Sequence, residues 1–221
     1  MGALCPLAPA PAVDSLRPAV RSFYESHWAG LDADPEPWAW ERRRALLLGE
    51  ARAGERVLDL GCGAGRFVAA LRDAGADPVG VEIAEAALER ARAVAPGADL
   101  RLLEPDGSIP LEHGSVDLVW CSEVLEHVAD TAQALLEARR VLRPGGRLLV
   151  TVPFHGRVKG ALIALGRFEE HFNPLGHHLR FFTRSSLERA LDAAGFEAVE
   201  IRAAGGPPLL RESLIARAVR A

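Results

Sequence analysis

Three acid–base side chains stand close together in the segment Cys121-Ser-Glu-Val-Leu-Glu-His. Glu123, Glu126 and His127 are spaced i, i+3 and i+4, so a helix beginning there would bring them onto one face. Two carboxylates and an imidazole form a ligand set for a divalent cation. The same imidazole is suited to take a proton from a nucleophile. A second constellation lies upstream. Glycines at 61, 63 and 65 follow the apolar run Arg56-Val-Leu-Asp-Leu. Glycine there permits a tight turn and lets a ligand approach the backbone closely. Glu82 ends the next apolar run, 21 residues after Gly61. An acid at that strand end accepts hydrogen bonds from ribose hydroxyls, so the pair points to an adenosine-type ligand at the carboxyl ends of the strands.

Holding these groups together requires alternating strands and helices. Apolar segments at 56–60, 77–81, 99–103, 116–121 and 147–152 alternate with helical segments at 65–74, 84–94 and 130–142. Thr183 caps a further helix that Gly195 ends, 196–201 reads as a strand, and 213–220 reads as a final strand or a helix, the strand completing a seven-stranded sheet. The pattern predicts an α/β, doubly wound, Rossmann-like fold: a mostly parallel, seven-stranded sheet with helices on both faces. Residues 1–13, rich in Ala and Pro, read as a disordered tail. Residues 14–54 read as an N-terminal helical lid, and 55–221 as the ligand-binding domain with an insertion at 153–182 on the substrate side.

Composition narrows the function classes. The 221 residues suit one large domain, and 49% hydrophobic with 25% charged residues is ordinary for a globular protein. A net charge of −4 and a pI near 6.0 disfavour a nucleic-acid partner. No apolar run approaches the ~18 residues of a membrane span. Three cysteines without paired spacing, Cys5, Cys62 and Cys121, imply no disulfide framework and fit a reducing cytoplasm. Charge is uneven: residues 99–137 hold nine acids and one base, residues 138–189 ten bases and three acids. The basic half spans the insertion, so either the small-molecule substrate is anionic or this surface is merely solvated. Trp28, Trp38 and Trp40 read either as helix packing or as a lid over an aromatic or apolar substrate. Phe168, Phe172, Phe181 and Phe182 read as core or lid.

The glycine spacing is G-x-G-x-G, with Asp59 two residues before the first glycine, and not the dinucleotide G-x-G-x-x-G. This resembles motif I of the class I S-adenosylmethionine-dependent methyltransferases. The resemblance runs from about 55 to 202, through Val79-Gly-Val-Glu-Ile, Ile109-Pro-Leu-x-x-Gly-Ser-Val-Asp-Leu-Val, Leu142-Arg-Pro-Gly-Gly-Arg-Leu-Leu-Val, Phe182-Thr-x-x-Ser-Leu and Ala194-Gly-Phe. It implies that Gly61, Gly63 and Gly65 line the methionine and ribose portion of S-adenosylmethionine, with Cys62 inside the loop. Asp59 would serve the ammonium, Glu82 the ribose hydroxyls and Ile83 the adenine. Asp106, with Glu104 competing, would serve the adenine amino group, and Cys121 closes the cofactor-binding set.

The E-x-x-E-H pattern is similar to that of the ubiquinone-biosynthesis O-methyltransferases, where it is associated with a metal. It also resembles small-RNA 2′-O-methyltransferases, which add a histidine before a Phe/Trp-Thr element. Here His178 lies five residues before Thr183, among His155, His171 and His177 of the insertion. The resemblance implies Glu123, Glu126 and His127 as metal ligands and His127 and His178 as catalytic residues. The expected reaction is in-line methyl transfer to a small molecule, on a hydroxyl oxygen. The alternatives are a metal-dependent RNA 2′-O-methyltransferase, a non-catalytic cofactor-binding protein and a dinucleotide-dependent oxidoreductase.

Overall fold

The computed structural model describes residues 13–32, 36–104, 106–172 and 178–221, with only the backbone of 13–19 and 170. The tail at 1–12, residues 33–35 of the lid and His177 therefore lie outside the described residues. Five strands are parallel: β1 (Arg56–Leu60), β2 (Asp77–Glu82), β3 (Asp99–Leu102), β4 (Val116–Ser122) and β5 (Leu142–Pro153). β6 (Phe196–Ala204) and β7 (Ser213–Arg220) are antiparallel to each other, and β7 pairs antiparallel with β5. The sheet order is β3-β2-β1-β4-β5-β7-β6. The order reverses at β1, whose neighbours are β2 and β4, and the crevice at the carboxyl ends of β1 and β4 is where such sheets bind ligands.

The central parallel strands β1, β2 and β4 are largely buried because helices cover both faces, whereas the edge strand β3, Asp99-Leu-Arg-Leu, is only half-buried. Successive residues of β1 enter different layers. Leu58 joins Val79, Val119, Val150, Leu135 and Leu187 on one side. Val57 joins Leu118, Trp120, Leu47, Phe67 and Leu71 on the other. The helices are α1 (Val13–Ala29), α2 (Trp40–Glu50), α3 (Arg66–Asp73), α4 (Glu85–Val94), α5 (Thr131–Val141), α6 (Arg157–Gly166), α7 (Phe168–His171) and α8 (Arg184–Ala193). Among the described residues no helix is long and apolar enough to cross a membrane.

One expectation is corrected here. Residues 123–130 form turns and not a helix, so Glu123, Glu126 and His127 do not share a helical face. The helix starts only at Thr131, where the Asp130 carboxylate accepts a hydrogen bond from Gln133 N at 3.0 Å and caps it. α1 is fastened over the carboxyl end of the sheet by polar contacts. The Glu25 carboxylate accepts from Glu85 N at 2.7 Å and Ala86 N at 3.0 Å, placing an anion at the N-terminus of α4. Arg21 donates to Leu103 O and Arg90 to Leu31 O.

Candidate active site

β1 delivers the chain into the glycine turn. A Cβ on Gly61 would lie 2.5 Å from Val124 Cγ2, and Gly61 has φ +75°, so no other residue fits without displacement. A Cβ on Gly63 would lie 3.1 Å from the Trp28 ring of α1. Gly65 serves a different purpose: it brings the start of α3 against Ala91 of α4 and is not on the cavity wall. Glu82, at the end of β2, reaches across to this turn. Its Oε2 accepts from Gly63 N at 3.0 Å and its Oε1 from Ile83 N at 2.7 Å. Burial raises the Glu82 pKa, and these backbone N–H donors oppose the rise.

Above the turn lies a cavity of about 390 Å³, a size that suits a nucleoside-sized ligand. Tyr24 and Trp28 of α1, Gly61 and Gly63, Glu82 and Ile83 line one part of it. Glu104 and Gly107 line another, and Glu123 and His127 a third. Asp59 is buried and off the wall. Its Oδ2 has no hydrogen-bond partner among the described residues, and burial, reinforced by Glu82, pushes its carboxyl pKa up to about 8. Asp106 does not reach the wall. Its carboxylate accepts from Ser108 N at 2.8 Å and Ser108 Oγ at 2.6 Å in a local turn, and Glu104 stands on the wall in its stead. Cys62 is buried with Val68 and Leu88, and Cys121 within the sheet core. Neither is on the cavity wall.

The acid–histidine group is assembled by a turn and a strap. Glu123 holds a left-handed backbone, φ +55°, and its Oε1 accepts from Thr151 Oγ1 at 2.9 Å. Thr151 Oγ1 lies 2.7 Å from Ser122 Oγ, to which the buried Arg43 guanidinium donates at 2.9 Å. Glu126 is almost fully buried, and neither carboxylate oxygen has a hydrogen-bond partner among the described residues. Burial first and Glu123 second push its pKa up to about 8. Its carbonyl accepts from Leu179 N at 2.8 Å and Arg180 N at 3.2 Å, which straps the end of the insertion onto this turn. That strap brings His178 to His127, with ring centroids 4.9 Å apart. His127 Nε2 lies 3.7 Å from Glu126 Oε1.

Ligand atoms of Glu126, His127 and His178 all fall within 4.8 Å of one another. The cation-type cluster thus holds His178, and Glu123 is instead bound to Thr151. A carboxylate whose two oxygens have no hydrogen-bond partner among the described residues, beside two imidazoles, is a donor set that a divalent cation can take. Two other histidines of the insertion form a separate pair: His155 and His171 face each other with Nε2–Nε2 3.0 Å, against the ring of Phe181.

Two residues escaped the sequence reading. Tyr24, the chain's sole tyrosine, sits on the cavity wall with its ring edge-on to His127, centroids 6.1 Å apart. Arg43 lies among Asp59, Glu123 and Glu126, whose charges oppose the lowering of its pKa by burial. Helical spacing held the signal in both cases. Tyr24 shares a face with Trp28, and Arg43 with Leu47, the other buried residue of α2. Of the three early tryptophans only Trp28 is on the wall. Trp40 packs on Phe67, and Trp38 is half-exposed under Arg42.

Residues 35–201 match the family described as a methyltransferase domain. The ubiquinone biosynthesis O-methyltransferase of Aromatoleum aromaticum is 31% identical over 185 residues, 77% of this chain and 74% of that protein. The biotin biosynthesis bifunctional protein BioHC of Cellvibrio japonicus is 34% identical over 142 residues, 64% of this chain and 28% of that one. The chain spans only 28% to 59% of the length of three of the curated relatives it matches. Among solved structures, the 1,6-didemethyltoxoflavin N1-methyltransferase of Burkholderia thailandensis superposes with TM-score 0.73 at 22% identity. The match covers 97% of this chain and 93% of that one, which was solved with S-adenosylhomocysteine bound. The site fits that cofactor's chemistry: a glycine turn that would reject a Cβ, an acid at the end of β2, a buried carboxylate with an orphaned oxygen and an indole closing the turn. Fold, site and relatives agree, and the chain belongs to the methyltransferase-domain family, the S-adenosylmethionine-dependent methyltransferases of the doubly wound, Rossmann-like fold.

Proposed function

We propose that this chain transfers the methyl group of S-adenosylmethionine to a hydroxyl oxygen of a small molecule, with His127 taking the hydroxyl proton. The observation that carries the reading is the His127 imidazole on the wall of the cavity that also holds Gly63 and Glu82. The similarity to ubiquinone biosynthesis O-methyltransferases supports an oxygen acceptor. When bound, the cofactor supplies a sulfonium methyl, so an O–CH₃ bond forms as the S–CH₃ bond breaks and sulfur keeps the electron pair. The chain's part is to align, to exclude water and to move one proton.

Glu82 and the glycine turn hold the ribose, with Ile83 beside the adenine. Asp59, buried behind the cavity wall, serves the ammonium through water. Tyr24 and Trp28 of α1 close the cavity against solvent. His127 Nε2 takes the proton, with Glu126 Oε1 3.7 Å from it. Replacing His127 with Ala should leave S-adenosylhomocysteine affinity nearly unchanged and lower turnover about 10²–10⁴-fold. Equal turnover in that variant removes His127 from the chemistry.

A second reading is favoured by the orphaned oxygens of Glu126. Glu126, His127 and His178 would hold a divalent cation, which would lower the hydroxyl pKa and make a separate base unnecessary. Calorimetric titration with Mg²⁺, Mn²⁺ or Zn²⁺ tests it without an acceptor. A metal heat that Glu126→Gln and His178→Ala both abolish supports the site, and the absence of any heat refutes it.

A further inference from the structure

The cavity wall runs across four neighbouring strands. In the order β3-β2-β1-β4, Glu104 stands past the end of β3, Glu82 ends β2, the glycine turn follows β1 and Glu123 follows β4. Neighbouring strands lie about 4.8 Å apart, so the three steps from β3 to β4 span roughly 14 Å. With the ribose at Glu82 and the adenine towards Glu104, the amino-acid tail of the cofactor runs towards β4. There the turn after β4 packs onto the glycine turn, since a Cβ on Gly61 would lie 2.5 Å from Val124 Cγ2. Glu123 directly precedes Val124. The other wall carboxylates have other places or partners. Glu104 lies at the far end, Asp130 caps α5, and Glu137 accepts from Ile109 N and Arg140.

Glu123 is held by a chain of hydrogen bonds with a fixed direction. Thr151 has one hydroxyl proton and gives it to Glu123 Oε1 at 2.9 Å. Thr151 Oγ1 must therefore accept from Ser122 Oγ at 2.7 Å, and Ser122 in turn accepts from Arg43 at 2.9 Å. Each bond polarises the next towards the carboxylate. Arg43 and Thr151 are both buried, so α2, β4 and β5 all brace this one side chain. Its backbone is left-handed, φ +55°, a conformation unfavourable outside glycine. Burial raises the Glu123 pKa, while the Thr151 hydrogen bond and then the charges of Arg43, Arg42 and Lys159 favour the anion. Among the described residues Thr151 alone donates to this carboxylate, and it takes Oε1, which leaves Oε2 for the cavity that Glu123 lines.

We propose that Glu123 accepts the cofactor's ammonium directly from the cavity wall, a role that rests on the ribose placement proposed above and not on the acceptor atom. Asp59, behind the wall, reaches the same ammonium only through water. Arg43, Ser122 and Thr151 are positioning residues that hold Glu123 for this contact. The cofactor is thereby anchored at both ends, ribose on Glu82 and ammonium on Glu123. That fixes the sulfur between them, in the cavity whose wall also carries His127.

The test is calorimetric titration of the full, chelator-treated chain with S-adenosylhomocysteine and with 5′-methylthioadenosine, which keeps adenine, ribose and sulfur and lacks the amino-acid end. Glu123→Gln keeps the shape and the Thr151 bond. It should weaken S-adenosylhomocysteine about 10–100-fold, the loss of one charge-assisted hydrogen bond, and leave 5′-methylthioadenosine within about two-fold. Thr151→Val should weaken S-adenosylhomocysteine alone, by less, and Thr151→Ser should restore it. Glu82→Ala should weaken both ligands. S-adenosylhomocysteine bound by Glu123→Gln at the wild-type level or more tightly overturns the proposal. So does a loss common to both ligands, which would leave Glu123 shaping the cavity only. Wild-type affinity in Thr151→Val overturns the positioning chain. If Glu82→Ala changes neither affinity, the ribose placement fails and the Glu123 contact with it. A Glu82 effect on both ligands, without a Glu123 effect on either, overturns the Glu123 contact alone.

Discussion

Asp59→Asn separates what this carboxylate does for the fold from what it does for the cofactor. Asp59 is buried, its Oδ2 lacks a partner among the described residues, and its pKa is pushed up to about 8, with burial the leading cause and Glu82 the second. In the unfolded chain the same group ionises near 3.9. The folded pKa is the higher one, so its contribution to stability is fully present below the unfolded pKa. It is lost as pH rises towards the folded value, across about pH 4 to 8. At pH 7 the unfolded chain gains by ionising and the folded chain does not. Three units at about 1.4 kcal/mol each set an upper bound near 4 kcal/mol, and relaxation brings this to about 2–4 kcal/mol. Asn has the same shape and no charge, so the ligand-free variant should be more stable by that amount at pH 7 and no more stable at pH 4. Urea unfolding at the two pH values reads this directly. The same substitution should weaken S-adenosylhomocysteine about ten-fold or more, because the ammonium loses a charged partner. Wild-type binding at pH 7 should release a proton, measurable as a dependence of the calorimetric heat on buffer ionisation enthalpy. A variant less stable than wild type at pH 7, or one that binds the ligand equally well, would refute the reasoning.

Three further outcomes follow from the same geometry. Gly63→Ala puts a methyl 3.1 Å from the Trp28 ring at φ +51°, so the ligand-free fold should lose roughly 1–2 kcal/mol in urea unfolding and S-adenosylhomocysteine affinity should fall as Trp28 is displaced; affinity at the wild-type level would show that α1 gives way freely. Leu47→Ala removes a fully buried side chain between α2 and the Trp120 layer and should cost about 2–5 kcal/mol in urea unfolding, with a smaller loss meaning that α2 is only loosely attached. His155 is held neutral, its pKa lowered to about 4 chiefly by burial and then by Lys159. That depressed pKa contributes stability present above about pH 6.5 and lost as pH falls towards 4, so His155→Asn should flatten the acid limb of the stability curve, and an unchanged slope contradicts the assignment.

The doubly wound sheet was legible because apolar runs of strand length alternate with helical periods, and Gly61, Gly63 and Glu82 carry their conformational or acidic requirement in their residue type. Residues 213–220, open between strand and helix by sequence, form a strand antiparallel to both β5 and β6. Less legible was whatever depends on a contact distant in sequence. Glu123, Glu126 and His127 suggested a helix by spacing, yet the chain turns tightly there, with Glu123 in a left-handed conformation tied to Thr151 of β5. That tie frees the third place beside Glu126 for His178, delivered by a strap 52 residues downstream. Asp106 looked suited to the adenine edge, but Ser108, two residues on, captures its carboxylate. Arg43 sat in a run of three arginines with nothing in its type to single it out, and only the packing of α2 shows which of the three turns inward.

The most direct test of the account is a calorimetric titration of S-adenosylhomocysteine into the chelator-treated protein, beside Glu82→Ala. The account predicts saturable binding to the wild type and an affinity lower by about 1–3 kcal/mol in the variant, which loses the acceptor for the ribose hydroxyls and for Gly63 N. No binding by a folded wild-type chain, or equal binding by the variant, would contradict it.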